Sequence, residues 1–357
     1  MIEYLNMSNV VGFGRFANPR PFPNITVILG KNDVCKTALI KMMYAIGKST
    51  ELYEKKQAHK QADSYKDLLS DKLQSVYGIK KMLSELVRKN GTPKKLSVEM
   101  KLSGGQTQDV SFSYGVDTKT KVSDVQISQG LRVKDGANFV FIPAKEVLTA
   151  FNTIKAIVRQ YFYPGWDDTT LDLIDLLDIP VMDEISPEFE NVIQQMKEMF
   201  SGELLQVNSS ERFVYNRKGA EHTMSLTAEG VKHIGILTTL IANGQIKKNT
   251  VLFLDEPEDN LHPGALRLLV KILSTLAGKG VQVFVTTHSY FTLKQLHIES
   301  RIKEMDVACC CLKRNNQGVV DSDFYNLRDG IPDNDITAET MAMLDEDLEA
   351  DMIRKND

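Results

Sequence analysis

Two apolar runs in the second half of the chain have the pattern of strands that are buried on both faces. Val251–Leu254 contains only apolar residues and leads into Asp255 and Glu256, whereas the run at Val281–Val285 leads towards His288. Strands of parallel sheets are nearly continuous apolar runs, and open α/β sheets bind ligands at the carboxyl ends of their strands. We therefore predict that the two carboxylates and the histidine meet at one edge of one sheet.

A third apolar run, Ile25–Leu29, predicts a strand near the N-terminus, and apolar residues at helical spacing follow it from Ala38 onwards. Between them, Gly30–Thr37 matches the phosphate-loop template G-x-x-x-x-G-K-S/T at every fixed position except the second glycine. In such loops the backbone N–H groups cradle phosphates, Lys36 would reach the β- and γ-phosphates, and Thr37 would bind Mg²⁺. We therefore predict that ATP and Mg²⁺ bind here, through Gly30, Lys31, Asn32, Asp33, Val34, Cys35, Lys36, Thr37 and Ala38.

Cys35 stands where the template has its second glycine. Glycine is used where the backbone approaches a ligand closely or takes a φ that other residues avoid, so a Cβ and a sulfur here would crowd a phosphate. We expect weaker nucleotide binding rather than none, because Lys36, Thr37 and Asp255 remain. Two interpretations of this residue stay open: a tolerated substitution, and a reactive thiol at a helix N-terminus beside a lysine.

Together these motifs resemble those of the ABC-type ATPases, in the branch that includes SMC-like and RecF-like proteins. The closest similarity is to the ATPase domain of overcoming-lysogenization-defect nucleases and of bacterial phage-defence ATPases. The segments that carry the resemblance are Gly30–Thr37, Ser225–Lys232, Leu254–Pro263 and Thr286–Ser289. The resemblance implies an α/β fold: an ABC-type P-loop ATPase head with a central, mostly parallel sheet, an antiparallel β subdomain and a helical insertion.

The resemblance also implies roles for individual residues. Asp255 matches the Walker B aspartate that supports the Mg²⁺ shell, and Glu256 matches the glutamate that polarises the attacking water. His288 matches the switch histidine that senses the γ-phosphate. Asn260 falls in the D-loop, which crosses the dimer interface in this family. Lys36, Glu256 and His288 are therefore the predicted catalytic residues.

Two segments compete for the signature motif of the family. Leu102–Gln106 spells LSGGQ, but the flanking residues alternate between apolar and polar, which predicts a β-hairpin with Gly104 and Gly105 in its turn. The later segment, Thr227–Gly230, opens a helical pattern shortly before the Walker B strand, and we favour it. Glu229 stands where the family usually has a serine that contacts the γ-phosphate in trans, so this departure bears on how tightly ATP would close a dimer. The predicted signature residues are Thr227, Ala228, Glu229 and Gly230.

Periodicity and changes in composition divide the chain into five predicted segments. They are an N-terminal ATPase lobe with the phosphate loop (1–48), a helical insertion (49–93), a β-hairpin and helical subdomain (94–226), a C-terminal ATPase lobe (227–325) and an acidic tail helix (326–357).

Composition places the chain among ordinary globular proteins, with 42% apolar and 25% charged residues and a formal net charge of −4. This small charge does not indicate a nucleic-acid partner, although it does not exclude one. No apolar run reaches the length of a membrane span, and Met1–Asn6 lacks the pattern of a signal peptide. Cys309–Cys311 lie in a predicted strand, where we expect small buried residues in a reducing compartment. We expect a cytoplasmic protein.

The resemblance implies a dimeric nucleotide switch, in which two copies sandwich ATP head to tail and control a separate effector, a nuclease or a toxin, in phage defence. The residues after Ser289 are too few for the nuclease domain of the related nucleases, so we expect any nuclease to be another polypeptide. Two alternatives remain open. One is a nucleotide-binding scaffold with little or no turnover, and the other is a RecF-like DNA-repair ATPase.

Overall fold

The computed structural model describes residues 1–59, 63–90, 92, 94–103, 107–133, 136–161, 166–182, 185, 187–200, 202–207, 213–259 and 261–354. The strands in these residues are β1 Ile2–Val10, β2 Phe13–Ala17, β3 Ile25–Leu29, β4 Lys95–Ser103, β5 Thr107–Gly115, β6 Asp124–Ile127, β7 Phe139–Ile142, β8 Glu203–Gln206, β9 Phe213–Arg217, β10 Ala220–Thr223, β11 Val251–Asp255, β12 Gln282–Thr287, β13 Val307–Arg314 and β14 Val320–Asn326. The α-helices are α1 Lys36–Ala58, α2 Tyr65–Val76, α3 Phe151–Tyr161, α4 Asp168–Leu177, α5 Pro187–Phe200, α6 Glu229–Ala242, α7 Pro263–Gly278, α8 Tyr290–Ile302 and α9 Asp335–Arg354.

One large sheet organises the fold. Its eleven strands run in the order β6-β5-β4-β1-β2-β14-β13-β3-β12-β11-β7, and β10-β9-β8 form a separate antiparallel sheet. The strands β13, β3, β12, β11 and β7 are parallel to one another, whereas β6, β5, β4, β1 and β2 are antiparallel. The predicted α/β head, with a parallel centre and an antiparallel part, is confirmed.

The three strands predicted from apolar runs lie side by side in the parallel part. Strand β12 lies between β3 and β11, and the register pairs Thr286 with Asp255 on one side and with Ile28 on the other. Every residue of these three strands is buried, as their apolar pattern predicts. The segments that follow the strands therefore emerge at the same edge of the sheet.

The sheet separates two layers of apolar side chains. Helices α1 and α2 cover one face, and α4, α5, α6 and α7 contribute to the core on the other face. Strand β13 shows the alternation directly, because Cys309 and Cys311 belong to one layer and Cys310 to the other. All three cysteines are buried, so the interpretation of this run as small apolar core residues is confirmed.

The helical insertion packs on the core. Helix α1 continues from Lys36 to Ala58, so the boundary predicted at residue 48 falls inside it. Helix α2 runs alongside α1, and its buried Lys72 forms ion pairs with Asp168 and Asp172 of α4, at 2.7 and 3.0 Å. These contacts agree with a helical segment that is packed on the head.

The segment 94–226 contributes strands to both sheets. Strands β4 and β5 form the predicted antiparallel hairpin, while Gly104 and Gly105 lie outside the described residues. Strand β7 instead joins the parallel edge, next to β11. The segment boundaries assigned from the sequence stay predictions. Among the described helices, none combines the length and the apolar composition that crossing a bilayer requires.

Candidate functional site

The phosphate loop connects β3 to α1 and contains two residues in the left-handed region. Asp33 has a φ of 72°, and Cys35 has a φ of 63° and a ψ of 28°. The position of the missing glycine therefore has the backbone conformation for which glycine is normally used. A non-glycine residue in this conformation carries a strain of about 1–2 kcal/mol. The Cys35 thiol packs beside Gly12, where an added Cβ would lie 2.8 Å from Sγ.

Lys36 lies at the centre of the loop and is only 5% exposed. Its Nζ donates to the carbonyl oxygens of Gly30 and Lys31, at 2.7 and 3.1 Å. It also forms an ion pair with Oε1 of Glu256 at 3.0 Å. The ammonium group thus bridges the phosphate loop and the end of β11, and all its donors have protein acceptors.

A chain of hydrogen bonds fixes Asp255. The Thr37 hydroxyl donates to Oδ1 at 2.8 Å, and the Thr286 hydroxyl donates to the same oxygen at 2.7 Å. Oγ1 of Thr286 in turn accepts the backbone N–H of Glu256 at 3.0 Å. Burial raises the pKa of the Asp255 carboxyl, the two hydroxyls oppose this, and the nearby Glu256 adds to it. A hydroxyl and a carboxylate in contact are hard oxygen ligands, so Thr37 and Asp255 fit Mg²⁺.

Glu256 joins the phosphate loop to the switch segment. While Oε1 contacts Lys36, Oε2 is hydrogen bonded to Nδ1 of His288. Glu256 has a φ of 46°, a left-handed conformation that is uncommon for a glutamate. Strained backbone of this kind concentrates at functional sites. Lys36, Glu256 and His288 therefore form one continuous line of polar contacts.

A family model described as "AAA domain, putative AbiEii toxin, Type IV TA system" matches residues 155–294, which is less than half of the chain. This match contains the predicted signature, Walker B and switch segments, but not the phosphate loop. The "Old nuclease" of Escherichia phage P2 is 42% identical over 57 residues, which are 16% of this chain and 10% of that protein.

Structural similarity extends over almost the whole chain. An SMC head bound to the C-winged helix domain of ScpA has a TM-score of 0.55 and 13% identity, over 92% of this chain and 98% of that one. An Smc head with an extended coiled coil, bound to the C-terminal domain of ScpA derived from Pyrococcus furiosus, has a TM-score of 0.53 and 12% identity, over 97% and 98%. The SMC head of Thermotoga maritima has a TM-score of 0.50 and 14% identity, over 90% and 98%.

The chain has the head fold of these SMC proteins, and parts of its sequence are similar to this AAA domain family and to the phage nuclease. The similarity to solved structures shows this fold, and the sequence matches show the relation to overcoming-lysogenization-defect nucleases. The match to the curated nuclease spans only a tenth of that protein, so the activity of the whole nuclease does not carry over by itself.

The predicted signature lies at the start of α6. Glu229 forms an ion pair with Lys232 at 2.8 Å, and Lys232, which is 3% exposed, also contacts Thr149 at 2.8 Å and Glu146 at 3.7 Å. The Glu229 carboxylate is therefore paired with a cation inside its own chain. Thr227 donates its hydroxyl to the carbonyl of Thr223 at 2.8 Å.

A cavity of about 420 Å³ lies at the predicted phosphate loop. Its lining is continuous along Lys31–Ala38 and is completed by Lys41, Tyr77 and Glu256. None of the described signature residues, Thr227–Gly230, lines this cavity. Asn260, the predicted D-loop residue, lies outside the described residues. His262, in the same motif, caps α7 by accepting the backbone N–H of Gly264 at 3.1 Å.

Two residues that line the cavity were not predicted. The Tyr77 hydroxyl donates to the carbonyl of Ala38 at 2.6 Å, and Lys41 forms an ion pair with Asp167 at 2.5 Å. Lys41 follows Thr37 by four residues on α1, so helical spacing could have placed it on the same face. Tyr77 ends α2 in the helical insertion, and no local signal connects it to the phosphate loop, because its position depends on how α2 packs.

Proposed function

We propose that this chain binds ATP with Mg²⁺ and hydrolyses it as an ABC-type ATPase. The observation that carries the proposal is the contact of Lys36 with Glu256, and of Glu256 with His288, at the carboxyl ends of β3, β11 and β12. Three segments distant in sequence thereby supply a phosphate-binding cation, a carboxylate and a histidine to one point. ABC-type hydrolysis of a γ-phosphate needs these three groups.

The geometry suggests a sequence of contacts for the reaction. ATP phosphates would replace the carbonyl and carboxylate oxygens that now surround the Lys36 ammonium. Release of Glu256 from Lys36 would free its carboxylate to orient the attacking water, while His288 would hold the carboxylate from the other side. Thr37 and Asp255 would hold Mg²⁺, which supplies charge neutralisation at the phosphates when it is bound.

The signature segment lies outside this cavity, so we propose that a second copy supplies it. The most exposed large apolar side chain in the described residues is Leu226, at 81%, directly before Thr227. Phe291, two residues after the switch segment and in the first turn of α8, is 57% exposed. Exposed large apolar side chains are typical of interfaces when they cluster beside functional segments. In a head-to-tail dimer that sandwiches ATP, both would become buried.

We further propose that the dimer acts as a switch on a separate effector, a nuclease or a toxin, in prokaryotic phage defence, within the cytoplasm. The description of the matching family as a toxin of a toxin–antitoxin system and the match to a phage nuclease support this assignment. A protein partner is favoured over nucleic acid, since the net charge is −4 and the similar SMC heads are bound to ScpA.

Phosphate release with purified protein tests the enzymatic part. The Glu256→Gln variant should bind ATP within about threefold of wild type, because the amide keeps the shape of the side chain, but its turnover should fall by about 10²–10⁴-fold. Equal, background-level turnover in both proteins would contradict hydrolysis and would favour the scaffold alternative.

Sedimentation of the Glu256→Gln variant, with and without ATP and Mg²⁺, tests the dimer. Trapped ATP should produce a dimer, and Leu226→Ser or Phe291→Ser should weaken it without changing ATP affinity in the monomer. Ile302→Ser is the matched control, because Ile302 is 69% exposed at the other end of α8. The interface assignment is wrong if this control weakens the dimer as much as Phe291→Ser does.

A further inference from the structure

Glu258 connects the turn after the Walker B strand to the switch segment. Its Oε1 accepts a hydrogen bond from the Thr287 hydroxyl, and it accepts the backbone N–H of His288 at 3.2 Å. The same Thr287 hydroxyl accepts the backbone N–H of Ser289 at 2.9 Å. Ser289 is the N-cap of α8. Oε1 of Glu258 thus binds Thr287 and His288 directly, and through the Thr287 hydroxyl it also helps to hold Ser289, where α8 begins.

The environment of this carboxylate is unusual for a structural residue. Its side chain is 7% exposed, and Oε2 has no hydrogen-bond partner among the described residues. Burial raises the pKa of Glu258 to about 7, the hydrogen bond from Thr287 opposes this, and the nearby Glu256 adds to the rise. A buried carboxylate beside another carboxylate is destabilising, and the hydrogen bonds from the switch segment offset part of this cost.

The contact between Glu256 and His288 joins residues that are 32 positions apart in the chain. Each lies just beyond the end of its strand. The last registered pair between the two strands is Asp255 with Thr286, and Thr286 also accepts the N–H of Glu256, whereas no registered pair in the described sheet includes His288. Within the described residues, the two hydrogen bonds at Oε1 of Glu258 span the same gap and hold the backbone of His288 itself.

We propose that Glu258 is a positioning residue, which accepts two hydrogen bonds from the switch segment and so holds His288 against Glu256. It would act through His288 rather than by touching the nucleotide. The effect on turnover rests on the proposed function, whereas the effect on the environment of His288 does not. A displacement of about 1 Å at a reacting group can lower a rate by about 10²-fold, so the loss of this clamp should be measurable.

Two substitutions of Glu258 distinguish a requirement for a hydrogen-bond acceptor from a requirement for a negative charge. Glu258→Ala removes the acceptor, and we expect kcat to fall at least 10-fold while the ATP Kd stays within about threefold, because no phosphate-binding group changes. Glu258→Gln keeps an amide oxygen in the place of Oε1 and should return kcat to within about threefold of wild type. The matched control is Glu299→Ala, which removes an equally buried carboxylate, bonded to Gln295 in α8, and should leave kcat unchanged.

The imidazole signals of ¹⁵N-histidine-labelled protein provide a readout that does not depend on turnover. The six histidines give few signals, and His288→Gln assigns the relevant one. We expect this signal to shift in Glu258→Ala, and to stay near its wild-type position in Glu258→Gln and Glu299→Ala.

Wild-type kcat in Glu258→Ala, or an unchanged His288 signal, would overturn the proposal. So would a Glu258→Gln variant as inactive as Glu258→Ala, because the charge rather than the acceptor would then be required. If wild type itself shows no turnover that depends on Glu256, the proposed hydrolysis fails, and the His288 signal alone decides the positioning role.

Discussion

Thr286 and Thr26 form a natural pair for testing the hydrogen-bond chain at Asp255. Both are completely buried, and they lie in neighbouring parallel strands, β12 and β3. The Thr286 hydroxyl donates to Asp255 and accepts from the backbone N–H of Glu256. The Thr26 hydroxyl has no hydrogen-bond partner in the part of the chain that the structure describes. In both positions valine replaces a buried hydroxyl with a methyl group. The substitution removes hydrogen bonds at Thr286 but none at Thr26 within the described residues.

The expected magnitudes follow from these contacts. Thr286→Val removes a hydrogen bond to a carboxylate and leaves the Glu256 N–H unpaired in a buried place, which should lower the free energy of unfolding by about 2–4 kcal/mol. Thr26→Val replaces an unpaired buried hydroxyl with a methyl group, so it should be neutral or should stabilise the fold by about 1 kcal/mol. The two variants should therefore differ by at least about 2 kcal/mol.

Urea denaturation followed by far-UV circular dichroism measures this difference, and the m-values check that both variants unfold over a comparable surface. If Thr26→Val lowers the free energy of unfolding as much as Thr286→Val does, the shape of a buried threonine matters more for stability than its hydrogen-bond partners. The reasoning about the Asp255 chain would then be refuted.

Three further changes test other parts of the site. Cys35→Gly should be more stable to urea than Cys35→Ala by about 1 kcal/mol, because only glycine takes a φ of 63° without strain, and equal stability would contradict this. Tyr77→Ala should raise the ATP Kd about fivefold in calorimetric titrations, whereas Tyr77→Phe, which lacks only the bond to Ala38, should change it less than about twofold. Lys232→Met should lower the free energy of unfolding by about 1 kcal/mol, since it leaves the partly exposed Glu229 without its cation, and adding Glu229→Gln should restore part of the loss in thermal melts.

The position of the candidate site at the sheet edge could be predicted because it depends on strands that are easily recognised in the sequence by their apolar pattern. Val251–Leu254 and Ile25–Leu29 are apolar without interruption, so their burial and their parallel pairing follow from composition and spacing. The order of the motifs along the chain then predicts that Lys36, Glu256 and His288 lie together at one edge of the sheet.

Other features depend on packing between distant segments, and the sequence carries no local signal for them. The position of Tyr77 at the cavity beside Lys31–Ala38 depends on how α2 packs against α1. The pairing of Glu229 with Lys232 could be predicted from their i, i+3 spacing on a helix. The contact of Glu146 with Lys232 could not, because these residues are distant in sequence. The hydrogen bonds of Glu258 to Thr287 and His288 depend on the close approach of two irregular segments. Irregular segments have no periodic sequence pattern, so these contacts could not be predicted from the sequence.

The junction between the two parts of the large sheet has a mechanical consequence. Strand β14 meets β2 through a single registered pair, Val320 with Phe13, whereas every other strand pair in the described sheet has at least four. A sheet bends most easily where few hydrogen bonds resist the bending. Gly12 lies on the antiparallel side of this seam, and the thiol of Cys35 packs against it from the phosphate loop. Flexing of the antiparallel part would therefore displace the Gly30–Thr37 loop, and the two parts of the sheet can move as two rigid units about this junction.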